Sequence, residues 1–184
     1  IKGTGEAAIG HIVEARNAGG PFSDLFDFCR RLDKRIVNRR VVESLVRAGA
    51  FDAVCDHRAS LLASVGLALE SAEQESRSAH QVSLFGALAD DPAHRLALVD
   101  VPRWSDNERL QNEKLALGFY LSGHPFRSYE RELRRFVTTR LDQLTPQSHP
   151  VLLAGVIHSL RIQLTRRGRM AVVLLDDGHA RIEL

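Results

Sequence analysis

The chain has 184 residues, of which 44% are hydrophobic, and a formal net charge of +2. That is enough for one or two domains with real cores, and with aromatics at 6% those cores must be aliphatic. No apolar run approaches the ~20 residues that a membrane span needs. Ile1-Lys2-Gly3-Thr4-Gly5 lacks the charged-then-apolar order of a signal peptide. Cys29 and Cys55 form no Cys-x-x-Cys pair and read as buried, reduced thiols in a cytoplasmic protein. The eight histidines show no metal-ligand spacing, so no metal site is expected.

In chain order, Gly3-Thr4-Gly5-Glu6 reads as a tight turn, because glycine permits φ > 0 and close backbone approach. Ile9, Ile12 and Val13 follow at helical spacing, and Gly19-Gly20-Pro21 stops the helix. Ser23 is the expected N-cap of a second helix bearing Leu25, Phe26, Phe28, Cys29 and Leu32. Asn38 is expected to cap a third, with Val41, Val42, Leu45 and Val46 inward and Gly49 at C′. Asp56 is the expected cap of a fourth, with Leu61, Leu62, Val65, Leu69 and Ala72 inward.

This order of turns and helices resembles a tandem helix-hairpin-helix unit. In that family the backbone N–H groups at the start of a hairpin's second helix grip a DNA phosphate, using unsatisfied donors and the positive end of the helix dipole. The resemblance assigns that grip to Lys2, Gly3, Thr4 and Gly5, with Arg39 and Arg40 as flanking cations. An ordinary glycine turn is the plain alternative. The second hairpin, Ala48-Gly49-Ala50-Phe51, has one glycine only and departs from Gly-x-Gly, which favours a structural role. Charge is uneven: Arg30 to Arg47 holds seven basic against two acidic residues, while Glu70 to Glu113 holds nine acidic against four basic. The first region suits a polyanion or is a solvated basic face; the second suits a protein partner.

After the fourth helix comes Gln81-Val82-Ser83-Leu84-Phe85-Gly86, in a stretch with little apolar periodicity that is expected to be mobile. It resembles the Gln-x-x-Leu-Phe peptide that docks bacterial polymerases on the sliding clamp. The resemblance gives Gln81 the role of orienting amide and Leu84 and Phe85 the role of apolar anchors. Capping of a neighbouring core is the alternative for the two apolar residues. Residues 86–104 read as irregular. Ser105-Asp106-Asn107-Glu108 is a capping box opening a helix with Leu110, Leu115 and Leu117. Gly123 and Pro125 break that pattern, and a further helix carries Tyr129, Leu133 and Phe136. His124 has no nucleophile or carboxylate partner in sequence and reads as a turn residue.

From Pro150 the period becomes two: Leu160, Ile162 and Leu164 alternate with polar residues, Met170 to Leu175 is apolar, and Asp176-Asp177-Gly178 turns into a third strand. The pattern resembles the first half of an OB-fold, whose basic groove binds single strands. Arg161, Arg166, Arg167 and Arg169 would supply the charge; a plain β-meander is the alternative.

Taken together, Ile1 to Glu6, Asn38-Arg39-Arg40, Ala48 to Asp52, Gln81 to Phe85 and Leu117 to Pro125 resemble the bacterial replicative DNA polymerase III alpha subunit family over essentially the whole chain. The resemblance implies a mainly α fold with a C-terminal β segment. It implies a tandem helix-hairpin-helix domain at 1–76, a linker at 77–104 carrying the clamp motif at 81–85, a helical connector at 105–149 and the N-terminal half of an OB-fold at 150–184. The chain opens inside a motif and ends inside an apparent strand, so it is expected to be a segment of a longer DNA-directed DNA polymerase, a nucleotidyltransferase. That family uses Mg2+ in a palm domain that nothing here matches, so no catalytic residue and no cofactor are expected in this segment. The implied partners are the duplex DNA backbone, single-stranded template at the OB-fold, the sliding clamp and other replicase subunits, with no membrane. The error-prone paralogue and a non-polymerase DNA-binding or repair scaffold are the competing assignments, and a helical scaffold without nucleic-acid contact is the third.

Overall fold

The computed structural model describes residues 1–80, 96–137, 139–166 and 168–184. They divide into two compact units, Ile1–Tyr120 and Leu121–Leu184. The first holds α1 (Glu6–Gly19), α2 (Leu25–Arg31), α3 (Arg39–Arg47), α4 (Arg58–His80) and α5 (Asp106–Leu117). The second holds α6 (Arg127–Leu133), a short 3-10 turn (Leu141–Gln143) and the strands β1 (Val156–Thr165), β2 (Gly168–Asp176) and β3 (Arg181–Glu183). The fold is thus mainly helical with a three-stranded antiparallel C-terminal sheet.

Helix α3 forms where the sequence dictates. The Asn38 side chain accepts from the Val41 amide, and Val41, Val42, Leu45 and Val46 all turn inward. Two other caps differ from expectation by one residue each. Asp24, not Ser23, caps α2, taking the Asp27 amide at 2.7 Å. At α4, Nδ1 of His57 accepts from the Ser60 amide, while the expected cap Asp56 is engaged by Arg103. In both places a second polar residue lies beside the expected one, and at α4 the expected cap is held by Arg103.

The core of the first unit is aliphatic with an aromatic centre. Leu25, Phe28, Cys29, Val41, Val42, Leu45, Val46, Phe51, Leu61 and Val65 form one buried cluster, and Phe28 sits edge-on to both Phe22 and Phe51. From α1 the cluster takes Ala8, Ile12 and Ala15, whereas Ile9 is exposed. Helix α5 packs on α3 through Leu110, Glu113 and Ala116, leaving Leu115 in solvent. The segment before α5 has no regular structure, yet it is pinned: the Val99 amide donates to the buried Ser64 hydroxyl, and Leu98 packs on the core.

In the second unit β1 pairs with β2 from Val156↔Asp176 to Thr165↔Gly168, with an irregularity between Ile157 and Ser159, and β2 pairs with β3. The register puts Leu160, Ile162, Leu164, Ala171 and Val173 on one face. The first three are more than half exposed. Asp177 and Asp176 organise the base of the sheet. Asp177 accepts from the Leu141, His179 and Ala180 amides, and Asp176 accepts from Arg181 and from the Gly178 amide. His124 sits against this turn, its Nε2 3.3 Å from Asp176.

Candidate nucleic-acid interface

The two hairpins of the first unit have opposite characters. At the first, Gly3 has φ +79°, and a Cβ there would lie 3.6 Å from Arg40 and 3.8 Å from Ser44. The turn therefore lies on the start of α3, with room around it. Gly5 caps α1 without any side-chain hydrogen bond, so the first-turn amides of α1 have no side-chain acceptor. The Thr4 hydroxyl is buried and has no hydrogen-bond partner among the described residues. The Lys2 amide donates to the Ala116 carbonyl at 2.6 Å, and the Lys2 side chain runs over Gly118 at the end of α5. A cation at a helix C-terminus is favourably placed against the dipole. Lys2 and Arg40 are exposed and make no ion pair among the described residues. Arg39 differs: its Nε is 2.8 Å from Glu43, which Arg47 also meets. Arg39 comes first and Arg47 adds to it, and together they hold the Glu43 carboxyl below the usual range against the opposing effect of burial.

At the second hairpin Gly49 has φ +81° and closes α3 in a Schellman arrangement. Its own amide donates to Val46 and the Ala50 amide to Leu45, each at 3.0 Å. A side chain there would collide with the Arg58 guanidinium and the Asp52 carboxylate. Arg58 fills the space beside Gly49. Its Nε donates to Asp52 at 2.8 Å and its Nη1 to Glu113 at 3.0 Å, with Glu113 wholly buried. Pairing with Asp52 foremost, opposed by desolvation and reinforced by Glu113, pushes the Arg58 pKa above its ordinary value. Beside it, Arg103 makes two hydrogen bonds to Asp56 and closes off the start of α4.

Sequence reasoning missed this network. Arg58 and Glu113 are 55 positions apart, and no local pattern links them. The one available signal was a glutamate on the apolar side of α5, spaced three from Leu110 and three from Ala116. Of the other sites read from sequence, Arg166 and Arg169 lie exposed at the β1–β2 end of the sheet, and Arg161 is bonded to Glu183 at 3.0 Å. Gln81, Leu84, Phe85 and Arg167 lie outside the described residues.

The helix-hairpin-helix motif family matches residues 1–61, the stretch that contains both turns. The DNA polymerase III subunit alpha of Neisseria meningitidis serogroup B is 45% identical over 184 residues, which is all of this chain and 16% of that relative. Its counterparts in Vibrio cholerae and Escherichia coli K12 are 41% and 39% identical, again over all of this chain and 16% of theirs. The chain is homologous, end to end, to one region of bacterial DNA polymerase III alpha subunits. Within the chain the hairpin pair is thus an asymmetric one, open at Gly3 and filled at Gly49. Among the described residues no helix is long and apolar enough to cross a membrane, and no cluster of three or more metal-ligating side chains occurs.

Proposed function

We propose that this chain is the DNA-holding and clamp-tethering region of a cytoplasmic replicative DNA polymerase, and that it works by processivity rather than chemistry. The observation that carries the reading is the contrast between the hairpins, set in a chain homologous throughout to polymerase III alpha subunits. The first hairpin offers uncapped amides, a glycine that lets a backbone come close, and the cations Lys2 and Arg40, which make no ion pair among the described residues. These are the parts for gripping one phosphate without reading sequence. The second hairpin is a structural copy, its phosphate position taken by Arg58.

Gln81, Leu84 and Phe85 are the tether to the sliding clamp. Two buried apolar anchors yield roughly 3–6 kcal/mol gross, less the cost of ordering the segment. The isolated peptide then binds at about micromolar strength or weaker. Simultaneous DNA contact raises the effective concentration and makes the weak link sufficient. The sheet of the second unit is read as the start of an OB-fold, with Arg166, Arg167 and Arg169 near the template strand. Its apolar face, with Leu160, Ile162 and Leu164 exposed, fits a module that further strands complete. Polymerisation with Mg2+ belongs to a palm domain outside this chain, which should not polymerise DNA by itself.

The test is binding of the chain to a bacterial sliding clamp beside a Leu84→Ala/Phe85→Ala double variant. Binding by the parent and loss in the variant supports the tether. Equal binding by both, or by neither, removes Gln81 to Phe85 as the docking site.

A further inference from the structure

Helix α6 carries a row of cations that neither the hairpins nor the sheet uses. The stretch from Arg127 to Arg135 contains four arginines against Glu130 and Glu132. Arg134 is committed to Glu130 at 2.8 Å. Arg127, Arg131 and Arg135 are exposed and make no ion pair among the described residues. Glu130 responds first to Arg134, through a hydrogen bond and by charge, and to Arg127 only at longer range.

The three recur every fourth residue: Arg127 and Arg131 lie in α6, and Arg135 lies in the turn just past its end, where the Arg135 amide donates to Glu132 and the Phe136 and Val137 amides to Leu133. At 3.6 residues per turn Arg127 and Arg131 share one face, their stems about 6 Å apart along the axis, and Arg135 follows them in the turn. The opposite face is where α6 meets its own unit. Phe126, Glu130, Leu133 and Val137 line a cavity there that also takes in Asp177 and His179. None of the three arginines lines that cavity.

We infer that this row is a second phosphate-tracking surface, on the Leu121–Leu184 unit, taking the backbone of a nucleic-acid strand. A spacing of four residues between cations suits a repeating anion better than the irregular carboxylates of an acidic protein. Arginine's fork matches phosphate oxygens two at a time. Contacts to a phosphate backbone carry no sequence information. The inference rests on the reading of this chain as a DNA-holding region but does not depend on the first hairpin being the grip.

The experiment uses the full chain, an Arg127→Ser/Arg131→Ser/Arg135→Ser variant and the matching triple lysine variant. Affinity for a labelled oligothymidylate and for a labelled duplex is measured across a salt series. A Lys2→Ser/Arg40→Ser variant is run beside them. The expected result is that the serine variant lowers the slope of log K against log salt by about two to three, at about 0.7–0.9 for each phosphate no longer neutralised. The lysine variant keeps most of the slope, because charge is retained, and circular dichroism matches the parent in both. A hairpin variant without effect beside an α6 variant with effect would sink the hairpin grip and leave this surface standing. An unchanged slope in the serine variant overturns the inference. So does loss of binding to polyglutamate with nucleic-acid binding intact, which would mark the row as a site for acidic proteins.

Discussion

At the scale of single residues, the arginine at position 58 decides what the second hairpin can do. With Glu113 wholly buried and Arg58 one-tenth exposed, the pair stands or falls together. Breaking one side of a buried ion pair costs about 3–5 kcal/mol. Glu113→Gln should fall toward the lower end, because Arg58 keeps Asp52; Arg58→Met should cost more, because Glu113 is then left buried without a guanidinium. Chemical denaturation of the two variants checks the order, and equal midpoints to the parent would contradict it. Acid sensitivity follows from the carboxylates. Burial pushes Asp27 up, but the Ser23 amide, Arg31 and Arg30 outweigh it and hold the carboxyl low. Burial is likewise overcome at Asp176 by Arg181 and the Gly178 amide, and at Asp177 by three backbone amides. A folded pKa below the unfolded one means that the unfolded chain binds more protons in that window, so stability rises with pH there. The contribution is complete above the unfolded carboxylate range of about 4 and is lost as pH falls through the folded values. The melting temperature should be level from neutral pH to about pH 5 and drop below about pH 4; a level profile down to pH 3 would refute it.

At the scale of elements, the legible parts were those set by local chemistry. Asn38, the Val41–Val46 face, Gly49 at C′ and the Ser105–Glu108 capping box all act within four residues of themselves, and all form as read. The parts that were not legible depend on distant partners. Ile9 and Leu115 match the helical period yet face solvent, because α1 docks through its small Ala8–Ala15 side and α5 through Glu113. Tyr129 and Phe136 are at least half exposed, and α6 buries none of its residues. The hairpin turns give a direct comparison. Both Gly3 and Gly49 have positive φ, where an L side chain is strained by about 1–2 kcal/mol. At Gly3 a methyl finds only ordinary contacts; at Gly49 it meets the Arg58–Asp52 pair. Gly49→Ala should therefore destabilise clearly more than Gly3→Ala, while Gly3→Ala should weaken duplex binding more, because it blocks close backbone approach. Thermal melts and duplex titrations of both variants test this, and the reverse order in either assay would count against the assigned roles.

At the scale of the whole molecule, charge and fold agree on a division of labour. The basic stretch from Arg30 to Arg47 ends at the filled second hairpin, yet much of its charge is internally neutralised by Asp27, Asp33, Glu43 and Glu73. Among the described residues, Lys2 and Arg40 at the open turn make no ion pair. The sequence pattern alone showed seven cations, not which of them stay free, because pairing is a property of the packed helices. The central claim is that the two hairpins are unequal, the first gripping DNA and the second holding α5. The most direct measurement is the salt dependence of duplex DNA binding for a Lys2→Ser/Arg40→Ser variant beside an Arg103→Ser variant. The account predicts that the first lowers the slope of log K against log salt by about two, at about 0.9 for each phosphate no longer neutralised, while the second leaves it unchanged. A reduced slope in Arg103→Ser with none in Lys2→Ser/Arg40→Ser would place the grip at the second hairpin and contradict the account.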